Sequence, residues 1–212
     1  MIRRFGRSML LAALVIVLAT AGTACGGGDE SAGTEESPSA SATETTAATT
    51  EETTYRNTQY GFEITYTEPL SQLNLTDTGG AEYAIAFVDK DGPTIHDDYA
   101  NGVRISVFKL PRAYKAAEVP KLRDQFEQAL KEMVADTSGG KVTSDVTATE
   151  IDGVPGFTVN YRFTEGGEQL ACRVTVLIKG KWEYDLTEQT LSDDWTSMES
   201  TLHQVVQSFK TF

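Results

Sequence analysis

Cysteine and histidine are scarce in this 212-residue sequence, with two of each: Cys25, Cys172, His96 and His203. So few ligands exclude a zinc centre built from cysteine and histidine. Two cysteines cannot make a disulfide framework. Any Ser-His-Asp or Cys-His chemistry must run through His96 or His203, and no Gly-x-Ser-x-Gly element is present. Positive charge is also short, with 18 Lys and Arg against 31 Asp and Glu, for a net −13. An acidic chain repels phosphate backbones, which excludes nucleic acid as a partner. The same charge disfavours direct contact with anionic lipid headgroups. Long apolar runs are missing too. The stretch Met9–Ala19 has 11 residues, against about 20 for a spanning helix.

What is present at the N-terminus has the three-part plan of an export signal. Arg3, Arg4 and Arg7 precede the apolar run, and the small residues Ala21, Gly22, Thr23 and Ala24 follow it. Gly22-Thr23-Ala24-Cys25 resembles a bacterial lipobox, with Gly22 where Leu is preferred. Two outcomes fit: lipidation of Cys25, or ordinary cleavage after Ala21 or Ala24 and free secretion. Cysteine arithmetic favours lipidation, because a Cys25–Cys172 disulfide would only staple a tail to a strand. Cys172 lies among Leu170, Val174 and Val176, where a free thiol behaves as a small hydrophobe. Residues 1–25 are therefore expected to be a lipoprotein signal ending at Cys25, with the mature chain lipid-anchored on the outer, extracytoplasmic face of the membrane.

Residues 26–54 have no aromatic residue and no Leu, Ile, Val or Met, but seven Asp and Glu. Such a segment cannot bury enough apolar surface to offset ordering entropy. It is expected to be a disordered tether.

Residues 55–212 are expected to form one α+β domain. Phe62, Ile64 and Tyr66 alternate as in a half-buried strand, as do Tyr83, Ile85 and Phe87, and Val103, Ile105 and Val107. Over 118–135 the period becomes helical through Leu122, Phe126, Leu130, Met133 and Val134, with Pro120 in the first turn. Asp152-Gly153 predicts a tight hairpin setting Val146 against Val159 and Val142 against Phe163. Gly166-Gly167 predicts a second, with Val159, Tyr161 and Phe163 opposite Val174, Cys172 and Leu170. A three-residue loop at Lys179-Gly180-Lys181 then pairs Ile178 with Trp182 and Val176 with Tyr184, keeping one apolar face across four strands. A last helix over 193–208 is expected to be capped by Ser192 and to bury Trp195, Met198, Leu202, Val205, Val206 and Phe209. The order is βββ-α-ββββ-α, an antiparallel sheet of about seven strands with two main helices.

The segment Tyr60-Gly61-Phe62-Glu63-Ile64-Thr65-Tyr66, a mid-chain helix, a four-strand meander and the closing Trp195…Leu202…Val205-Val206…Ser208-Phe209 helix resemble the PsbP-like fold. That group includes actinobacterial lipoproteins of the LpqN type. The resemblance spans 55–212 and rests on element order and the closing Val-Val-x-Ser-Phe. It implies a non-catalytic binding or assembly module of the cell envelope, with no cofactor and no shared active site.

Candidate site residues are few. Asn160, Arg162, Arg173 and Thr175 are expected on the sheet face opposite the apolar one. There they suit a partner or ligand carboxylate, or an ordinary solvated face screened by Glu183 and Asp185. Trp182, Tyr184 and Trp195 suit an apolar-ligand pocket between sheet and helix, or simply core. Asp89-Lys90-Asp91-Gly92, with Asp97 and Asp98, begins like a calcium loop but lacks its remaining ligands, so no metal is expected. The expected partners are the membrane, through lipid on Cys25, and an envelope protein or, alternatively, an apolar ligand. An unrecognised hydrolase using His96 or His203 is the third reading.

Overall fold

The computed structural model describes residues 51–212. The export signal, Cys25 and nearly all of the tether lie outside the described residues. Glu52–Asn57 (β1) pairs along its length with Phe62–Thr67 (β2), and Lys210–Thr211 (β12) joins the other edge of β2. Glu52, Thr53 and Thr54, read from composition as tether, therefore belong to a strand. The backbone ladder with β2 and a Thr54–Thr65 hydroxyl contact of 3.1 Å hold them there.

The main sheet is antiparallel. It contains Leu70–Asn74 (β3), Tyr83–Asp89 (β4), Gly102–Tyr114 (β7), Val154–Glu165 (β10) and Glu168–Leu191 (β11), with Lys141–Val142 (β8) and Thr147–Ile151 (β9) both on β10. Thr94–Ile95 (β5) and Asp98–Tyr99 (β6) make a small hairpin. Arg123–Ala135 (α1) follows a 3-10 stretch over Ala116–Leu122, and Trp195–Gln207 (α2) precedes β12. Pro120 sits inside the 3-10 stretch, which is why the regular helix starts later than the apolar period predicts.

The Gly166-Gly167 register is as expected, with Val159, Tyr161 and Phe163 opposite Val174, Cys172 and Leu170. Both glycines have positive φ, 60° and 89°, as a turn matching the strand twist requires. Val142, however, pairs with Tyr161 and not with Phe163. The ladder breaks at Ser144, whose Oγ accepts the Asn160 N–H at 2.8 Å. The break shifts β8 by two residues and so keeps Val142 on the same face.

β11 folds back on itself. Fifteen residues of extended strand would separate Arg173 and Glu188 by about 50 Å, yet their side chains meet at 3.3 Å. The Ser192 N–H reaches the Gln169 carbonyl at 2.8 Å, and Cys172 Sγ lies 3.9 Å from Gln189 Oε1. Gly180, at φ 62°, lies at the reversal, and a bulge against β7 follows between Gly180 and Trp182. The reversal is where the sequence puts it, but the register is one residue away from the expected one. Trp182 and Tyr184 consequently leave the face of Val176 and Ile178. The expected register assumed one buried face, whereas this sheet is buried on both.

One core lies under α1 and the 3-10 stretch, built from Phe126, Leu130, Phe157, Val159, Leu170 and Val176. The other lies under α2 and the β1–β2–β12 sheet, where Phe62 stacks on Phe209 at 5.6 Å and Tyr184 meets Phe209 edge-on at 5.3 Å. Ser192 does not cap α2, because the helix starts only at Trp195 and Ser192 is still tied into the β11 hairpin through its N–H. Asp194 occupies the cap position, and its carbonyl accepts the Ser197 and Met198 N–H groups.

Candidate functional site

Two polar clusters flank the seam where β7 meets the second leg of β11. The first lies on the α2 side. Arg173 stands opposite Asn160 in the β10–β11 ladder, and its Nε donates to Asn160 Oδ1 at 3.2 Å. The hairpin brings Glu188 alongside, at 3.3 Å from Arg173 Nη1. α2 supplies the rest. Trp195, Glu199 and His203 are spaced by four, so they share one helix face, and that face is turned to Arg173. Arg173 Nη2 donates to Glu199 Oε1. His203 Nδ1 lies 3.2 Å from both Glu188 Oε1 and Arg173 Nη1, and the guanidinium sits 5.4 Å from the Trp195 ring.

The balance of charge in this cluster follows from burial. Glu188 is 0 % exposed, and a carboxylate so placed needs close partners. Arg173 and His203 supply them. Glu199 and His203 remain 42 % and 43 % exposed at the side chain, so the outer rim of the cluster is open to solvent. Of the four residues expected to share a ligand face, Arg173 is thus committed to internal pairs and Asn160 supports it. Thr175 is buried, with its Oγ1 donating to Thr158 Oγ1 at 3.1 Å. Arg162 is exposed and makes no ion pair among the described residues. The residues that screen Arg173 are Glu188 and Glu199, not Glu183 and Asp185.

Trp182 and Tyr184 share the α2-side core, both against Tyr60, while Trp195 stands apart from them. Tyr184 is core, and its hydroxyl donates to the Tyr60 carbonyl at 2.8 Å. Burial pushes that phenol up to about 12. Trp182 meets Tyr60 edge-on at 5.5 Å. Trp195 lies beside Arg173. A groove of about 770 Å³ lies elsewhere, between α1 (Arg123, Glu127, Leu130, Lys131) and the β8–β9 break at Val142–Val146. Its lining is mostly polar.

The second cluster escaped sequence reasoning. Glu183 and Asp185 face the α1 side and are 0 % and 1 % exposed. None of their four carboxylate oxygens has a hydrogen-bond partner outside the pair among the described residues, and the two can bond to each other only if one of them keeps a proton. Arg104 of β7 is buried nearby, with Nε donating to Ser106 Oγ at 3.0 Å and Nη2 to the Thr78 carbonyl at 3.0 Å. Burial pushes both carboxyls well above the usual carboxylate range. Asp185 pushes Glu183 further, while a hydrogen bond from Glu183 and then the charge of Arg104 pull Asp185 part of the way back. Burial also lowers the Arg104 guanidinium, against the pull of Asp77 and Asp185. The alternation Glu183-x-Asp185-x-Thr187-x-Gln189 reads as the wet side of a strand, and only a sheet covered on both faces reverses that meaning.

The remaining candidates are local structure. Asp89 Oδ1 accepts the Asp91 N–H at 3.1 Å and so closes its own turn. His96 and Asp97 form the β5–β6 turn at φ 50° and 68°, next to Gly166. Cys172 is a buried free thiol, and burial raises its pKa. Among the described residues no group of three or more His, Cys, Asp or Glu is placed to hold a metal, and no helix is long and apolar enough to cross a membrane.

The family model for PsbP matches residues 51–211. The chain belongs to the PsbP family. Among solved structures it is similar to the cyanobacterial PsbP protein CyanoP of Synechocystis, at 14 % identity and a TM-score of 0.54, covering 81 % of this chain and 98 % of that one. It is also similar to LpqN of Mycobacterium tuberculosis, described as involved in cell envelope biogenesis, at 13 % identity and a TM-score of 0.53, covering 77 % and 91 %. At such identities the likeness is one of fold, and both relatives support the PsbP-like α+β architecture. No curated protein matches the sequence.

Proposed function

We propose that this PsbP-family domain is an extracytoplasmic envelope module, anchored by lipid on Cys25, that works without catalysis by holding a protein partner at the α2 edge of its sheet. The observation that carries the reading is the Trp195–Glu199–His203 stripe, locked at its base by Arg173 and buried Glu188 and open at its rim. A rigid Trp beside mixed charges, with Arg162 exposed on the adjoining strand, has the composition of a binding hot spot. The export signal, the small residues before Cys25 and the acidic 26–54 segment support the address. The envelope description of LpqN agrees with it. Cys172 is a poor nucleophile in its buried site, which supports a non-catalytic role. The apolar-carrier alternative draws no support from Trp182, Tyr184 and Trp195, since Tyr184 is filled core with Trp182 against it and Trp195 lies beside Arg173.

A photo-reactive residue at 162, 195 or 199 in intact cells should give an adduct of defined mass, whereas the same probe at 121 or 127, on the α1 side, should not. Equal adducts at both faces, or none at either, would overturn the proposed surface.

A further inference from the structure

The second cluster has a simple charge imbalance. Two carboxyl groups sit on alternate residues of one strand face, their backbones about 7 Å apart along the strand and their side chains close enough to hydrogen-bond each other once one of them is protonated. Both are sealed from solvent, and the nearest buried cation is a single Arg104, which is itself shared with Asp77. Among the described residues no second cation is buried beside them. β7 contributes Ser106 and, further along, Tyr114, whose hydroxyl is also buried without a partner. β10 contributes Tyr161 and the first leg of β11 contributes Cys172; burial keeps both protonated. Tyr99 of β6 packs on Ala86 and Val88 of the same face, next to Asp98, and both residues are engaged in contacts. The buried faces of the 3-10 stretch and α1 are apolar: Val119, Leu122, Phe126, Leu130 and Val134. Two carboxylates ionised together here would repel each other while sealed from solvent, with no hydrogen-bond donor to either among the described residues, at a cost that is large for a marginally stable domain.

We propose that Glu183 and Asp185 form a buried proton store, so that the folded domain keeps protons its unfolded chain releases, and mild acid tightens the β7–β11 seam while alkali loosens it. The sign follows from linkage. In the unfolded chain both carboxyls titrate near pH 4. Above that pH the folded state binds more protons than the unfolded one, so stability falls as pH rises until the folded pair itself ionises. This is the reverse of ordinary acid denaturation, in which paired carboxylates lose stability as pH falls. The inference stands independently of the partner surface, which lies on the other side of the sheet.

The test is urea unfolding of the full chain between pH 5 and 9, beside E183Q, D185N and the double variant. The wild-type midpoint should fall steadily over this window, and the double variant should lose most of that slope. A wild-type midpoint that is flat or rises, or a double variant with the wild-type slope, would overturn the proposal. Should the double variant not fold, the wild type decides alone. Unfolding at pH 7.5, above the histidine range and below that of free thiols, should release about one to two protons per chain. Release of none, or net uptake, would contradict it.

Discussion

Arg173 shows how a single side chain can be misread from its neighbours in sequence. Its position opposite Asn160 was legible, because the Gly166-Gly167 turn fixes the β10–β11 register. Its commitment to Glu188, Glu199 and His203 was not, because these reach it through a hairpin register and a helix docking that local pattern does not encode. The consequence is a large difference between two arginines that looked alike. Arg173→Ala should cost roughly 3 kcal/mol or more in urea unfolding, because it strands the buried Glu188 charge. Arg162→Ala should stay within about 0.5 kcal/mol. A small cost at Arg173 would mean that Glu188 does not depend on it.

At the scale of elements, turn chemistry carried most of the information. Asp152-Gly153 and Gly166-Gly167 place their hairpins as read, because residues at positive φ specify both the turn and the pairing beyond it. The reading failed at Gly180, where a bulge on the β7 side decides which face Tyr184 takes. That choice depends on the second core, and the second core depends on α2 and β1–β2 arriving from the two ends of the domain. The two glycine turns are not equivalent either. A Cβ at Gly153 meets nothing within 4 Å, while one at Gly166 would lie 2.6 Å from Ile95 Cγ2 and 2.8 Å from His96 Nε2. Both positions have positive φ, so alanine is strained at each. Gly166→Ala should nevertheless be the more destabilising by about 1 kcal/mol or more, and it should disturb the β5–β6 turn as well. Equal thermal shifts for the two variants would show that the turn does not press on that hairpin.

At the scale of the whole molecule, the fold class and the two-helix, antiparallel plan follow from periodicity alone. The family match over residues 51–211 agrees with that plan. What the periodicity could not supply was the second layer. A strand with polar alternate residues looks half exposed until both faces are covered, which is why the pattern alone puts the Glu183–Asp185 pair at the surface. The same two-sided burial leaves the α2 edge as the place where buried charge, a Trp and solvent meet. On the proposed lipid anchor, the segment between Cys25 and β1 would limit the reach of that edge from the membrane, and binding would depend on where the domain is held as well as on what it contacts.

The most direct test is the adduct formed in intact cells by a photo-reactive residue at 199, compared between the wild-type signal and a Cys25→Ser chain. The account predicts one adduct of defined mass, with the protein recovered in the detergent phase, and loss of both in the Cys25→Ser chain. An adduct of the same mass and yield from a chain that never reaches the detergent phase would contradict an anchored module and make this a freely secreted binding protein.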